Sequence, residues 1–259
     1  MKIGIIGTGN IAQFLLEEIS KVENRDVAIV SVFGRNQEVG KELAANFGVT
    51  FFDDFEAFLN SPTDLVVEAA TVEVVKQMAS EVINAGKHLV VSSVGAFADS
   101  EFYRELQLLV DQKGKDIFIP SGAIGGIDII KSANALGGLH EVSITTRKSP
   151  ASLGMNVDEE TIVFEGSAAE AIQLFPKNIN VAIVLSLAGM GEEKTRVAII
   201  ADPKATKNTH TINAAGDFGQ FELVVENEPM IRNPKTSALA ALSILSILKN
   251  MGSRVKVGS

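Results

Sequence analysis

Three histidines are the side chains of this sequence best suited to proton transfer near neutral pH. His88 opens an apolar strand pattern and His140 stands at the entrance of another strand, so both are predicted to be structural. His210 lies instead in a polar stretch, Asn208–Asn213, in the second half of the chain. An imidazole there could exchange a proton with an amine or a water, or it could be structural as well. His210 is therefore the candidate catalytic residue.

Other catalytic chemistries find little support. The sequence contains no cysteine, no Gly-x-Ser-x-Gly turn and no His-x-x-x-His pair. Thiol or serine nucleophiles in familiar settings, and a zinc site, are therefore not predicted. Asp53 and Asp54 stand at the start of a helical pattern, where carboxylates favour the helix dipole and are expected to cap the helix. We predict no metal site.

A glycine-rich turn predicts nucleotide binding. Gly7-Thr8-Gly9-Asn10-Ile11-Ala12 has the form G-x-G-x-x-A, directly after an apolar strand pattern and at the head of a helical one. The first glycine permits the tight turn, the second lets the backbone approach a pyrophosphate, and Ala12 allows close helix–strand packing. Glycines at a sharp turn can also be purely structural. The continuing alternation of strands and helices favours a dinucleotide site with contacts from Gly7, Gly9, Asn10 and Ile11.

The end of the second strand bears on the choice between NAD and NADP. An NAD site usually places a carboxylate there to bind the ribose 2′-hydroxyl. Here the strand ends Val32-Phe33-Gly34-Arg35-Asn36, and the first carboxylate is Glu38. Arg35 could bind a 2′-phosphate with two hydrogen bonds, or it could be a solvated loop residue. We predict that NADP is accepted, alone or alongside NAD.

The loops after later strands contain the remaining residues that could contact the cofactor. Ala70 follows the strand Leu65–Ala69, and Ser92–Gly95 follows the next one, where small residues leave room for ribose and nicotinamide. Thr71 and Ser93 are also good helix N-caps.

The substrate contacts are sought in the second half of the chain. The Ser121–Gly126 loop precedes a helical pattern, so its backbone N–H groups and the Ser121 hydroxyl could bind a carboxylate. Lys148, Lys207 and Lys235 are candidate cations, although any of them could be a solvated surface lysine.

The elements that position these residues follow from hydrophobic periodicity. Near-continuous Val/Ile/Leu runs predict the strands Lys2–Ile6, Val27–Phe33, Leu65–Ala69, His88–Ser92 and Ile117–Ile119. Between them, helices are predicted at Asn10–Lys21, Glu38–Phe47, Val72–Ala85 and Asp99–Gln112. This alternation predicts an α/β fold, a doubly wound parallel sheet of the Rossmann type, over residues 1–120.

The regular alternation of short strands and helices ends at Pro120. Residues 121–233 are predicted to form an α+β domain for substrate binding and dimerisation, with a mostly antiparallel sheet. Its predicted strands are Leu139–Arg147, Glu160–Glu165, Thr195–Ala201, Asn208–Ala215 and Gln220–Glu226, and its helices are Ile127–Leu136, Ala168–Phe175 and Asn180–Met190. Asn233-Pro234 reads as the N-cap and first position of a C-terminal helix. We expect that helix, within residues 234–259, to pack back on the first domain.

Composition restricts the partners. The 259 residues carry 23 Lys and Arg against 32 Asp and Glu, for a net charge of −9. An acidic chain without a cationic cluster is a poor nucleic-acid binder. No apolar run approaches the ~20 residues of a membrane span, the start has no signal-peptide pattern, and the lack of cysteine fits a reducing compartment. We therefore expect a cytoplasmic protein that does not bind membranes.

Several segments beyond the glycine turn resemble the L-aspartate dehydrogenase family, NAD(P)-dependent enzymes that feed iminoaspartate into NAD biosynthesis. The segments that carry the resemblance span nearly the whole chain: Ile5–Ile11, Ile119–Gly126, Phe175–Ala182, Ala201–Pro203, Asn208–His210 and Glu228–Ser237.

The resemblance implies fold, activity and residue roles together. It implies a homodimer whose subunit combines a Rossmann domain with an α+β domain like that of dihydrodipicolinate reductase. The implied reaction oxidises L-aspartate to iminoaspartate, which gives oxaloacetate and ammonia. His210 would be the active-site histidine, and Ala123 and Asn180 would contact the cofactor. Many relatives carry Asp-Arg where this chain has Gly34-Arg35, which leaves the choice of NAD or NADP open.

Two other classes stay open at this level. One is another two-domain reductase, of the dihydrodipicolinate reductase or inositol dehydrogenase type. The latter usually needs a Lys before a Pro after the fifth strand, and this chain has Ser92-Ser93-Val94-Gly95 there. The other is a non-catalytic regulator that senses nucleotides. Turnover distinguishes an enzyme from a sensor.

Overall fold

The protein is described by a computed structural model over residues 1–21, 26–175, 179–230 and 233–255, with the backbone alone for Pro234 and Lys235. Pro176–Asn178, which belong to one of the segments quoted above, and residues 256–259 of the predicted C-terminal helix lie outside this description. The chain divides into two compact units. Among the described residues, the first contains Met1–Pro120 and residues 241–255, and the second contains Ser121–Ala240.

The first unit is built on a six-stranded parallel sheet with the strand order β3-β2-β1-β4-β5-β6. Its strands are β1 (Lys2–Ile6), β2 (Ala28–Phe33), β3 (Thr50–Phe52), β4 (Leu65–Glu68), β5 (His88–Val91) and β6 (Ile117–Phe118). The helices between them are α1 (Asn10–Ser20), α2 (Gln37–Phe47), α3 (Phe55–Leu59), α4 (Val72–Asn84) and α5 (Ser100–Lys113). Every residue of β4 is buried, as expected for a strand covered on both faces. The predicted doubly wound fold is confirmed.

The core of the first unit includes residues from both ends of the chain. The last helix of the chain spans Ala238–Gly252, with Ile244, Leu245 and Leu248 buried. These three side chains belong to one hydrophobic cluster with Ile3, Leu15 and other residues of the first 120 positions. The burial of this apolar face holds the C-terminal segment on the unit that carries the glycine turn.

The second unit contains a five-stranded sheet with the strand order β11-β10-β7-β9-β8. Its strands are β7 (Leu139–Lys148), β8 (Thr161–Ser167), β9 (Thr195–Ala201), β10 (Asn208–Gly216) and β11 (Gly219–Asn227). All neighbouring pairs are antiparallel except β7 and β9, which are parallel. Three helices pack against it: α6 (Ile127–Asn134), α7 (Ala168–Leu174) and α8 (Asn180–Ala188). The predicted α+β architecture with a mostly antiparallel sheet is therefore confirmed.

The structure corrects the sequence prediction at the start of the last helix. Asn233-Pro234 does not cap that helix. It lies in a short strand, β13 (Asn233–Ser237), which pairs antiparallel with β12 (Pro229–Met230). Proline is tolerated there because β13 pairs with a single neighbour, so the missing N–H breaks no central ladder. The last helix, α9, begins four residues after Pro234, at Ala238, and ends at Gly252.

The edge strand β3 was not predicted from the sequence, whereas the single-turn helix α3 begins at the helical pattern predicted after Asp53-Asp54. Asp54 caps α3 by accepting a 2.7 Å hydrogen bond from the Ala57 N–H, which confirms the predicted capping role for Asp54. Asp53 instead accepts a 2.6 Å hydrogen bond from the Gln37 side chain. No helix among the described residues is long and apolar enough to cross a membrane.

Candidate functional site

The glycine turn has the geometry that a bound pyrophosphate requires. Gly7 has a φ of +118°, and a Cβ there would lie 2.4 Å from the Ala69 carbonyl oxygen, so no other residue fits. Gly9 is the N-cap of α1, and a Cβ on it would meet no described atom within 4 Å, so its surface is open to a ligand. Ala12 is fully buried where α1 packs on the sheet.

The first turn of α1 completes this cradle. Asn10 and Ile11 are its first two residues, and the turn carries no carboxylate that would compete for its N–H groups. The unpaired N–H groups and the positive end of the helix dipole favour an anion at this position. The residues present thus fit a dinucleotide at the carboxyl edge of the parallel sheet.

Gly34 and Arg35 follow β2 at the same edge. Gly34 is buried, and a Cβ on it would lie 2.7 Å from the Cγ2 atom of Thr8 in the glycine turn. Arg35 is exposed, and among the described residues it has no ion-pair partner. Arg35 therefore offers a guanidinium close to the point where the adenosine ribose lies in such folds, while the nearby Asp53 carboxylate accepts a hydrogen bond from Gln37 at 2.6 Å.

A buried carboxylate at the centre of this edge was missed by the sequence analysis. Glu68 ends β4, opposite Ile6 of β1, and is 1% exposed. Its Oε1 accepts hydrogen bonds from the Ala70 N–H at 2.7 Å and the Ser93 hydroxyl at 2.8 Å, and its Oε2 accepts one from the Ser93 N–H at 2.9 Å. Burial raises the pKa of Glu68, and these hydrogen bonds oppose that rise. The sequence feature that could have revealed Glu68 is an acidic residue at the end of an otherwise apolar strand.

Glu68 also determines how the predicted cofactor loops after β4 and β5 are held in place. Ala70 is exposed next to the glycine turn, and its backbone is held by the Glu68 carboxylate. Thr71 caps α4 by accepting a 3.3 Å hydrogen bond from the Val74 N–H. Ser93 makes no side-chain cap, because its hydroxyl is bonded to Glu68. The turns after β4 and β5 are thus tied together by one side chain.

In the second unit, His210 lies on an interior strand of the sheet, near one end of that strand. It stands on β10 directly opposite Thr146 of β7, and it is 4% exposed. Its Nδ1 atom lies 3.0 Å from the Thr146 hydroxyl. Thr146 is itself buried at 5% exposure, and the sequence analysis did not single it out.

Lys148 acts on His210 electrostatically. It is the last residue of β7, two positions beyond Thr146 and therefore on the same face of the sheet. Burial, and then the charge of Lys148, lower the pKa of His210 to about 4. Burial lowers the pKa of Lys148 as well. His210 is thus a neutral imidazole at physiological pH, next to an ammonium group that is costly to bury without an anion.

The predicted Ser121–Gly126 loop is held on this same face of the sheet. Asn227 ends β11 and is 4% exposed; its side-chain N–H donates to the Ala123 carbonyl at 3.0 Å, and its Oδ1 accepts from the Ser237 hydroxyl. A Cβ on Gly125 would lie 3.1 Å from Leu223. Leu223 shares the His210 face of the sheet, because it pairs with Ile212, two residues beyond His210. Asn227 is, after Glu68 and Thr146, a third residue that sequence reasoning missed.

A small polar cavity lies at this end of the sheet. Its volume is about 110 Å³, and Asn208, two residues before His210, lines it together with Asn227. The ion-paired Lys207 and Glu228 line it too, and its hydroxyl-bearing lining residues are Ser149, Ser152, Thr206, Thr236 and Ser237. The hydroxyl groups can donate hydrogen bonds to carboxylate oxygens.

Two other candidates, Lys207 and His140, have acidic partners. Lys207 pairs with Glu228, and the side chain of Lys235 lies outside the described atoms. His140 is exposed, with its Nε2 atom 3.2 Å from Asp217.

His88 and Asn180 were also considered from the sequence, and the structure places both. His88 accepts a 3.1 Å hydrogen bond from the Asp116 N–H through its Nδ1 atom. Asn180 is exposed at the first position of α8. No group of acidic residues and histidines in the described chain is arranged to hold a metal ion.

Two family models match the chain. Residues 7–120 match the NAD-binding domain of homoserine dehydrogenase, and residues 128–251 match the C-terminal domain of aspartate dehydrogenase. With the glycine turn, they define the protein as a two-domain oxidoreductase with a nicotinamide cofactor. Over 269 aligned residues it is 39% identical to L-aspartate dehydrogenase of Methanococcus maripaludis, with 100% of both chains covered. The chain belongs to the L-aspartate dehydrogenase family.

Solved structures agree with this membership. The crystal structure of aspartate dehydrogenase from Thermotoga maritima matches with a TM-score of 0.82 and 33% identity, covering 100% of this chain and 99% of that one. Scyllo-inositol dehydrogenase from Lactobacillus casei matches with a TM-score of 0.59 and 14% identity, over 100% of this chain and 90% of that one. That second likeness shows a shared fold alone, whereas the predicted family resemblance is confirmed.

Proposed function

We propose that this protein oxidises L-aspartate with NAD⁺ or NADP⁺ to iminoaspartate and so supplies iminoaspartate for NAD biosynthesis. Iminoaspartate that is not used in this way is hydrolysed by water to oxaloacetate and ammonia. The observation that carries the proposal is the buried, neutral His210 beside Lys148, in a chain that matches L-aspartate dehydrogenases over its whole length. When bound, the nicotinamide accepts the hydride that leaves the substrate Cα.

His210 is the catalytic residue of this proposal. With its Nδ1 atom facing Thr146, Nε2 is the ring nitrogen left for the substrate. A neutral imidazole can take a proton from the substrate amine, and later assist the water that hydrolyses the imine. Burial and Lys148 keep that imidazole neutral before substrate arrives. A substrate carboxylate beside Lys148 offsets the repulsion and stabilises the imidazolium that then forms.

The two substrate carboxylates need separate partners. Lys148 is the proposed cation for one of them, since it is partly buried and faces the same side of the sheet as His210. The Ser121 hydroxyl and the backbone N–H groups of its loop are the proposed donors for the other. Asn227 supports this arrangement by fixing the loop at Ala123. A dicarboxylate fits this set better than a monocarboxylate, because it satisfies both groups.

Seven residues besides Arg35 are proposed to contact the cofactor. Gly7, Gly9, Asn10, Ile11 and Ala70 lie at the carboxyl edge of the parallel sheet, and Ala123 and Asn180 belong to the second unit. Arg35 is proposed to bind the 2′-phosphate of NADP, because it is an exposed guanidinium directly after Gly34.

The proposal also covers the oligomeric state and the cellular location of the protein. We infer a homodimer from family membership, and a cytoplasmic location from a sequence that contains no cysteine, as suits a reducing compartment. Nucleic acids and membranes are not among the proposed partners of this acidic chain.

The proposed function is tested by measuring whether the protein reduces the cofactor with L-aspartate. Purified protein is incubated at alkaline pH with L-aspartate and either NAD⁺ or NADP⁺, and the absorbance of reduced nicotinamide is followed. D-aspartate, L-glutamate and L-alanine serve as matched controls. Reduction that depends on L-aspartate supports the proposal. Cofactor binding without reduction by any of these amino acids contradicts it and favours a nucleotide sensor.

A further inference from the structure

Thr146 and His210 form a cross-strand pair between two interior strands of the second sheet, near one end of their ladder. The two residues are direct partners in the antiparallel ladder between β7 and β10, and β7 also pairs with β9 on its other side. The hydroxyl and Nδ1 lie 3.0 Å apart, and both side chains are at most 5% exposed. A threonine in a strand has few χ1 choices, so its hydroxyl is held at a defined position against the ring.

This contact has two possible polarities. If Nδ1 carries the proton, the hydroxyl accepts a hydrogen bond and the Nε2 lone pair is free. If Nδ1 is unprotonated, the hydroxyl donates and Nε2 carries the proton. The neutral imidazole must take one of these two forms, and only the first can accept a proton from the substrate at Nε2.

We propose that Thr146 is a positioning residue that accepts a hydrogen bond from Nδ1–H of His210, and so holds the imidazole in the form whose Nε2 lone pair faces the substrate amine. The inference rests on the catalytic role proposed for His210. Thr146 itself touches neither substrate nor cofactor. Its contribution is to select one tautomer and one ring orientation, as second partners of functional histidines do in other sites.

The neighbouring residue provides a matched control. Thr145 has the same side chain on the same strand, but successive residues of a strand point to opposite faces. Thr145 is opposite Thr211, away from the His210 face, and is half-buried. Thr145→Val therefore makes the same chemical change in the same strand without touching the histidine.

The direct test is the tautomer of His210 in the wild-type protein. The chain has three histidines, so ¹⁵N-histidine labelling gives three ring systems, and His210→Asn identifies the one that disappears. At neutral pH we expect His210 to show a protonated Nδ1 and an unprotonated Nε2. An unprotonated Nδ1 with a protonated Nε2 in the wild-type spectrum overturns the inference, whatever the variants do.

Kinetics of the variants give the second test. Thr146→Val removes the acceptor and should lower kcat with L-aspartate roughly tenfold or more, since the base it positions is worth ~10²–10⁴-fold. The KM for the cofactor should not change. Thr146→Ser, which keeps the hydroxyl, should restore kcat, and Thr145→Val should match the wild type. Wild-type kcat and an unchanged His210 spectrum in Thr146→Val overturn the inference.

The outcomes also distinguish this inference from the proposed function. Near-full turnover in folded His210→Asn contradicts the catalytic role of His210 and removes the basis of the inference. Loss of turnover in His210→Asn together with wild-type behaviour in Thr146→Val leaves the proposed function standing and rejects the role of Thr146 alone.

Discussion

The carboxylate of Glu68 accepts hydrogen bonds from both the N–H and the hydroxyl of Ser93, at 2.9 and 2.8 Å. Because Glu68 ends β4 and Ser93 follows β5, the pair ties together two turns at the edge of the sheet where a dinucleotide binds. A third hydrogen bond, from the Ala70 N–H at 2.7 Å, fixes the turn beside Gly7. The shape of this edge therefore depends on one buried carboxylate.

Replacing Glu68 by Gln should weaken cofactor binding. The glutamine amide would place a donor against one of the donors that Glu68 now binds, which leaves a buried polar group unpaired at a cost of about 1–3 kcal/mol. We expect the free energy of unfolding to fall by about this amount and the Kd for NADH or NADPH to rise. Fluorescence titration and urea unfolding measure the two effects. Glu81→Gln, on the exposed face of α4, is the control. Unchanged values in Glu68→Gln contradict the assigned role.

Arg35 should strengthen the binding of NADP⁺ relative to NAD⁺. Removing its guanidinium in Arg35→Ala should raise the KM for NADP⁺ roughly tenfold, as expected for the loss of charged hydrogen bonds to a phosphate. The KM for NAD⁺ should change little, because NAD⁺ lacks the 2′-phosphate. Arg104→Ala, an equally exposed change on α5, controls for general effects of charge. A strong preference of the wild type for NAD⁺ with negligible NADP⁺ turnover contradicts the prediction.

The sequence was most informative where a local pattern determines the structure. Continuous apolar runs predicted the central strands of the parallel sheet, and Gly7–Ala12 predicted the turn between β1 and α1. The strand β3 was missed because three residues at a sheet edge are too short for a periodic signal. Asn233-Pro234 was misinterpreted because the same residues that start helices also fit a strand with one partner.

The partners within the site depend on long-range pairing. Thr146 and His210 are 64 residues apart, and Asn227 and Ala123 are 104 apart, so no spacing rule could bring them together. His210 and Lys148 were each chosen from the sequence, but their electrostatic coupling follows from the register of β7 on β10. Residue types thus predicted the chemistry, and only the fold supplied its geometry.

Lys148 should control both substrate affinity and the pKa of His210. Lys148→Met removes a charge that faces the proposed carboxylate site and should raise the KM for L-aspartate roughly tenfold to a hundredfold. Because the Lys148 charge lowers the pKa of His210, its removal should raise that pKa. Steady-state kinetics and NMR titration of His210 measure the two effects. Lys131→Met, an exposed change on α6, should do neither. A KM and a His210 pKa that both stay at wild-type values in Lys148→Met contradict the prediction.

His210 should make the protein less stable in mild acid. Its pKa is about 4 in the folded protein against an ordinary value of 6.5, so the unfolded chain binds a proton more readily between these values. Stability from this residue is therefore present above pH 6.5 and is lost as the pH falls towards 4, by roughly 2 kcal/mol at pH 5. Urea unfolding at pH 7 and pH 5 measures the loss, and His210→Asn should show a smaller one. Equal losses in the two proteins contradict this account.

The central claim is that His210 takes a proton from L-aspartate as its Cα is oxidised. The most direct measurement is the single-turnover rate of reduced nicotinamide formation, at saturating L-aspartate and cofactor, in the wild type and in His210→Asn. Asparagine keeps a nitrogen near the position of Nδ1 but has no basic Nε2, so the fold and the contact with Thr146 should survive. We predict a rate lower by ~10²–10⁴-fold in the variant, with cofactor affinity unchanged. A folded variant that reduces the cofactor at the wild-type rate would contradict the claim.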